Sequence, residues 1–159
     1  MTVSGDELRA AMRRFPSGVA VVTLATAERR LGVTVGSLVS LSLEPALVGV
    51  SIGVDSSPHL LLRDARRFVV NVLAFDQDPV ARHFAASVPP IAMWTGIRTR
   101  ESALPEPLLA DALAWIECRT VAEHATGDHA FFVGEVLSVE LGRRAAGLVY
   151  VEGAYRGVA

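Results

Sequence analysis

Two rhythms of apolar and polar positions divide this chain into elements. Ser4 and Glu7 stand at capping-box spacing, and Leu8, Ala11, Met12 and Phe15 then recur at helical intervals until Pro16-Ser17-Gly18 stops the pattern. Residues 19–26 are a β-branched run and predict a first strand. A polar turn over 27–30 leads to a second strand over 32–40, Glu44-Pro45 breaks it, and residues 47–54 make a third. Ser57-Pro58 reads as an N-cap with proline at the first helical position, opening a short helix over 58–64. Residues 68–73 form an apolar strand interrupted by one amide, Asn71, for which a hydrogen bond to a neighbouring loop is expected. Asp78-Pro79 repeats the cap-then-proline device and opens a second short helix to residue 86. Residues 87–107 carry Pro89, Pro90, Pro105 and Pro107 with little periodicity, and read as a long surface loop. Residues 113–126 and 130–141 are two long strands, apolar on both faces and joined at Gly127-Asp128-His129. Residues 148–151 and 154–156 close the chain as a pair around Gly153.

The sum is a mainly β, antiparallel barrel with two or three short helices. Strands and helices do not alternate in βαβ fashion, which argues against a dinucleotide-binding Rossmann unit.

The stretch 32–45 departs from an ordinary buried strand. It carries Thr34, Ser37, Ser40 and Ser42 among its valines and leucines, and a buried strand seldom holds so many hydroxyls without a polar task. Gly32 and Gly36 would let a ligand approach the backbone closely. The pattern suits a flat, phosphate-bearing molecule.

Composition narrows the classes. The chain has 159 residues, 51% of them hydrophobic and 20% charged, enough for one domain over 1–159 with its own core. A net charge of −2 supplies no basic footprint for nucleic acid. No apolar run approaches a membrane span, and the polar, helical N-terminus is unlike a signal peptide, so a cytoplasmic location is expected. Cys118 is the one cysteine and alternates with Ile116 and Thr120, as a small buried hydrophobe does. Four histidines (His59, His83, His124, His129) include no i, i+4 pair, and no metal site is expected. Phosphate-loop, nucleophile-elbow and zinc-protease motifs are absent, so an enzyme of this kind would rely on a cofactor.

Several motifs occur together in one order. They are Phe15-Pro16-Ser17-Gly18-Val19 and the run to Thr23; Gly32-Val33-Thr34-Val35-Gly36-Ser37; Ser57-Pro58-His59; Phe68-Val69-Val70-Asn71-Val72-Leu73; Arg82-His83-Phe84-Ala85; Gly127-Asp128-His129; and Leu148-Val149-Tyr150 with Tyr155-Arg156. In this the chain resembles the short-chain flavin reductases of split β-barrel fold, the reductase components of two-component flavin monooxygenases. It departs from them at Pro45-Ala46, where two prolines are usual, at Gly36, where a second serine is usual, and in the loop at Val88-Pro89-Pro90-Ile91.

The resemblance implies an NAD(P)H:flavin oxidoreductase, or alternatively a non-catalytic FMN carrier of the same fold. It implies FMN or FAD, NADH or NADPH, a homodimer and a separate monooxygenase. It implies flavin contacts from Thr34, Val35, Gly36 and Ser37, and from Ser51, Ile52 and Gly53. Ser56 and Ser57 would meet the phosphate at a helix N-terminus. Arg82 is either a phosphate partner or a solvated arginine, Phe84 either a flavin contact or core, and Tyr155 either a nicotinamide cover or a core or interface tyrosine. His129 is the catalytic-site candidate on the nicotinamide side, with Asp128 fixing its turn.

Overall fold

The computed structural model describes residues 2–158. Helix α1, Gly5–Met12, begins at the expected capping box: the Glu7 N–H donates to Ser4 Oγ and the Ser4 N–H returns to the Glu7 carboxylate at 2.9 Å. None of its residues is buried. Strands β1 (Ser17–Gly18), β2 (Ala20–Ala25) and β3 (Arg30–Val35) follow. The predicted second strand is in fact two elements. β3 ends at Val35, and after three residues β4 (Val39–Leu43) starts at the other end of the sheet, paired with β5 (Ala46–Gly53).

Helix α2, Ser57–Ala65, is capped by Ser56 rather than Ser57. Ser56 has the extended backbone of a cap and its hydroxyl accepts the His59 N–H at 3.3 Å, so Ser57 becomes the first helical residue. Strand β6, Arg67–Val72, leads to α3, Asp78–Ala85, where the same shift recurs. Gln77 occupies the cap position without a capping bond, because its amide is engaged elsewhere: Oε1 accepts the Ala74 N–H and Nε2 donates to Ala110 O, both at 2.9 Å. The expected long loop contains one small hairpin, β7 (Thr99–Arg100) with β8 (Leu108–Leu109). The long strands are β9, Ala114–Thr126, and β10, His129–Leu141, and the closing pair is β11, Gly147–Val151, and β12, Ala154–Val158.

Seven strands form one antiparallel sheet in the order β3-β2-β6-β9-β10-β5-β4, and β1, β11 and β12 form a second. The large sheet curls around a core in which Val21, Val22, Val50, Phe68 and Phe132 are fully buried. Each such side chain favours the fold by about 1.5–3 kcal/mol. The two ends of the sheet, β3 and the β4–β5 pair, meet without a backbone ladder among the described residues. What joins them is residues 36–38 of the chain and one side chain: Ser37 Oγ accepts the Ser51 N–H at 2.9 Å and donates to Ser51 O at 3.3 Å. The barrel is therefore split, and the hydroxyl-rich stretch crosses the split. No helix among the described residues is long and apolar enough to cross a membrane.

Candidate active site

A cleft of about 450 Å³ opens at the split. Val33, Thr34, Val35, Gly36 and Ser37 form one wall and Ser51, Ile52 and Gly53 the other, with Ser56 and His129 at the ends. Its volume falls in the usual range for small-molecule sites. The edge of β3 contributes backbone groups. Gly32 turns its N–H away from β2 and donates to Met93 Sδ at 3.3 Å, and by the alternation of an antiparallel ladder the N–H and C=O of Thr34 face the same way.

The hydroxyls themselves are more committed than their residue types suggest. Thr34 Oγ1 donates to Ala81 O at 2.6 Å, tying β3 to α3. Ser37 Oγ is used twice by Ser51, and Ser56 Oγ both caps α2 and donates to Gly53 O at 2.7 Å. These side chains shape the cleft while their hydroxyls are engaged by the protein itself.

His129 is placed by its hairpin. Gly127 takes φ +75°, His129 pairs with Gly53 in register, and the Val54 N–H donates to Asp128 O at 3.0 Å. Thr126 Oγ1 donates to the His129 carbonyl at 3.0 Å. The imidazole Nδ1 lies 2.7 Å from Asp128 Oδ1, and this hydrogen bond, with the neighbouring ring's charge, holds the Asp128 carboxyl below its ordinary range.

A second cleft of about 330 Å³ shares the Thr34–Val35–Gly36 wall and is bounded by Ser17, Arg82, Tyr150 and Tyr155. Arg82 stacks 5.0 Å over the Tyr155 ring and its Nε is 3.4 Å from Asp78. Partial burial, with Tyr150 nearby, raises the Tyr155 phenol, so it stays a neutral O–H at neutral pH. Arg82 and Tyr155 thus sit together, one strand away from the Ser51–Gly53 wall.

Two of the expected residues lie outside both clefts. Phe84 is 4% exposed and packs against Trp94, with ring centroids 5.3 Å apart. Its ring atoms lie 2.6 Å from where a Cβ on Gly32 would stand, so the freedom of Gly32 serves Phe84 and not a ligand. Of the two readings of Phe84, the structure supports core. Ser57 is exposed on the first turn of α2, beside the cleft rather than in its lining. Gly36 does line both clefts, with the Ser17 hydroxyl beneath it. Sequence reasoning missed Ser17, Val33 and Tyr150 as lining; all three stand inside quoted motifs, but nothing in their spacing marks them. Among the described residues no group of His, Cys, Asp or Glu is placed to hold a metal ion.

A cleft at the open seam of an antiparallel barrel, with a free strand edge and a histidine at its mouth, defines a site for a flat cofactor. The chain belongs to the flavin reductase like domain family, whose model matches residues 12–159. It is 40% identical over 152 residues to the NADH-dependent FMN reductase AsuE2 of Streptomyces nodosus subsp. asukaensis, covering 94% of this chain and 82% of that protein. It is 36% identical over 152 residues to the reductase component of 4-hydroxyphenylacetate 3-monooxygenase of Thermus thermophilus, covering 95% of each. Among solved structures it superposes with a TM-score of 0.91 on the NADH:FAD oxidoreductase SgcE6 of Streptomyces globisporus, at 32% identity, covering 100% of this chain and 97% of that one.

Proposed function

We propose that the protein is an NADH-dependent flavin reductase that takes FMN or FAD into the split-barrel cleft and delivers reduced flavin to a separate flavin-dependent monooxygenase. The observation that carries this reading is the seam itself: a strand edge whose Thr34 N–H and C=O point away from β2 faces a second wall across a gap of ligand size. The flavin supplies a ring nitrogen that accepts a hydride from the nicotinamide. The protein's task is alignment of two flat rings, which needs no nucleophile. Val33, Val35 and Ile52 supply apolar wall, the outward N–H and C=O of Thr34 supply polar edge contacts, and the exposed N–H of Ser57 at the start of α2 offers a phosphate contact. The Arg82–Tyr155 pair on the far side of the shared strand suits the remaining, charged part of a dinucleotide.

The chain acts as one domain and as a homodimer in this reading. Exposed apolar residues support the dimer: Val39, Leu41 and Leu43 on edge strand β4, Val139 and Leu141 on β10, and Leu8 and Met12 on α1. A cytoplasmic location agrees with the use of NADH; Cys118, the one cysteine, is buried, which pushes its thiol up to about 12.

The test is to mix the purified protein with flavin and NADH and follow the near-ultraviolet band of the reduced nicotinamide. Flavin-dependent loss of NADH, faster than with NADPH, is the expected result. A protein that purifies yellow yet turns over neither nicotinamide is a flavin carrier, and the reductase reading fails.

A further inference from the structure

We propose that Asp128 is a positioning residue: it fixes the His129 imidazole as the Nδ1–H tautomer, leaving the Nε2 lone pair for the cleft, where it accepts an N–H of the nicotinamide carboxamide. This rests on the reading of the cleft as a flavin and nicotinamide site.

The geometry supplies the steps. An ionised carboxylate can only accept hydrogen bonds, so the 2.7 Å contact requires the proton to be on Nδ1. Asp128 is held ionised over a wider acid range than an isolated aspartate, chiefly by its hydrogen bond to His129, with a smaller contribution from the charge of Arg9. The main chain on both sides of the contact is fixed: Val54 holds the Asp128 carbonyl and Thr126 holds the His129 carbonyl, each at 3.0 Å. The hairpin tip therefore keeps the two neighbouring side chains where the contact forms. His129 lines the cleft, and with Nδ1 committed, Nε2 is the nitrogen left to meet a ligand.

A lone pair there discriminates between the two flat partners. The hydride-accepting edge of an oxidised flavin presents acceptors, which a lone pair repels. The exocyclic amide of a nicotinamide presents N–H donors, which it receives. Neutral histidine left to itself prefers the proton on Nε2, which would offer the wrong group, so the tautomer has to be imposed. A plain turn aspartate would need no contact with the ring at all.

The experiment uses the full chain labelled with ¹⁵N-histidine, with His129→Ala to assign the resonance, at a pH above the histidine titration. The wild-type ring is expected to show the proton on Nδ1, and Asp128→Ala to move it to Nε2. Asp128 is 92% exposed, so the variant keeps its fold and thermal midpoint. Loss of one well-placed hydrogen bond should raise KM for NADH by about fivefold with flavin affinity unchanged. An Nε2–H ring in the wild type, an unchanged tautomer in Asp128→Ala, or an unchanged KM for NADH each overturns the proposal. A wild-type protein with the expected tautomer but no flavin-dependent NADH oxidation overturns the reductase reading and the carboxamide contact, while the hold of Asp128 on the ring stands.

Discussion

Ser37 shows how one hydroxyl can serve fold and site together. It accepts from and donates to the backbone of Ser51 across the seam, so its removal acts on the protein before any ligand arrives. Ser37→Ala should lower stability without flavin by about 1 kcal/mol, seen as a shifted urea midpoint. Flavin affinity should fall with it, because the two walls lose their stitch. A variant with wild-type stability and weakened flavin binding would instead mean that the hydroxyl meets the flavin directly. Thr34 and Ser56 follow the same logic, since each hydroxyl has a protein partner already. The residue types pointed to a ligand, and their strand lines the cleft. Sequence could not reveal that the Thr34 and Ser37 hydroxyls are turned to the protein, because that depends on Ala81 and Ser51, which come near only when the sheet curls.

The elements were legible to different depths, and the differences have local causes. The long hairpin and the first capping box follow from signals within a few residues, and both stand where the periodicity puts them. Both later caps are displaced by one position: at α2 either serine could cap and the local bonds of Ser56 to Gly53 and His59 decide, while at α3 Gln77, held by Ala74 and Ala110, takes the cap position before Asp78. The break at residues 36–38 carries no apolar signal at all; it exists because β3 and β4 lie at opposite ends of one sheet. Asn71 is the case where chemistry outweighed pattern. Its amide nitrogen donates to Val21 O at 2.9 Å and to Thr23 Oγ1 at 3.1 Å, and its oxygen accepts the Leu109 N–H at 2.8 Å, so one buried side chain ties β8 to two core strands. Replacing it with alanine leaves the Leu109 N–H buried without a partner and opens a small void. Asn71→Ala should cost about 3 kcal/mol in urea unfolding, with faster hydrogen exchange at the Leu109 amide. A loss under about 1 kcal/mol would mean that solvent reaches the amide and that β8 is not held from the core.

At the scale of the whole molecule the chain exposes more apolar surface than the seam alone explains. Leu43 is 85% exposed and Leu141 80%, and the amphipathic α1 buries none of its residues. Singly exposed aliphatics are unremarkable, but a run of them on an edge strand invites pairing with another chain. A second copy of the chain fits both needs, since a two-fold contact covers the same patch on each partner. Strand β4 also begins two residues after Ser37, so a partner packed on β4 would steady the wall of the cleft from outside. The wild-type protein should therefore sediment at about twice the 16.9 kDa of one chain. Leu41→Lys combined with Leu43→Lys, which places two charges on that edge without touching the core, should sediment as a monomer and bind flavin more weakly. A wild-type monomer at micromolar concentration ends the dimer reading, and a variant that stays dimeric moves the interface to β10, where Val139→Lys with Leu141→Lys becomes the deciding pair.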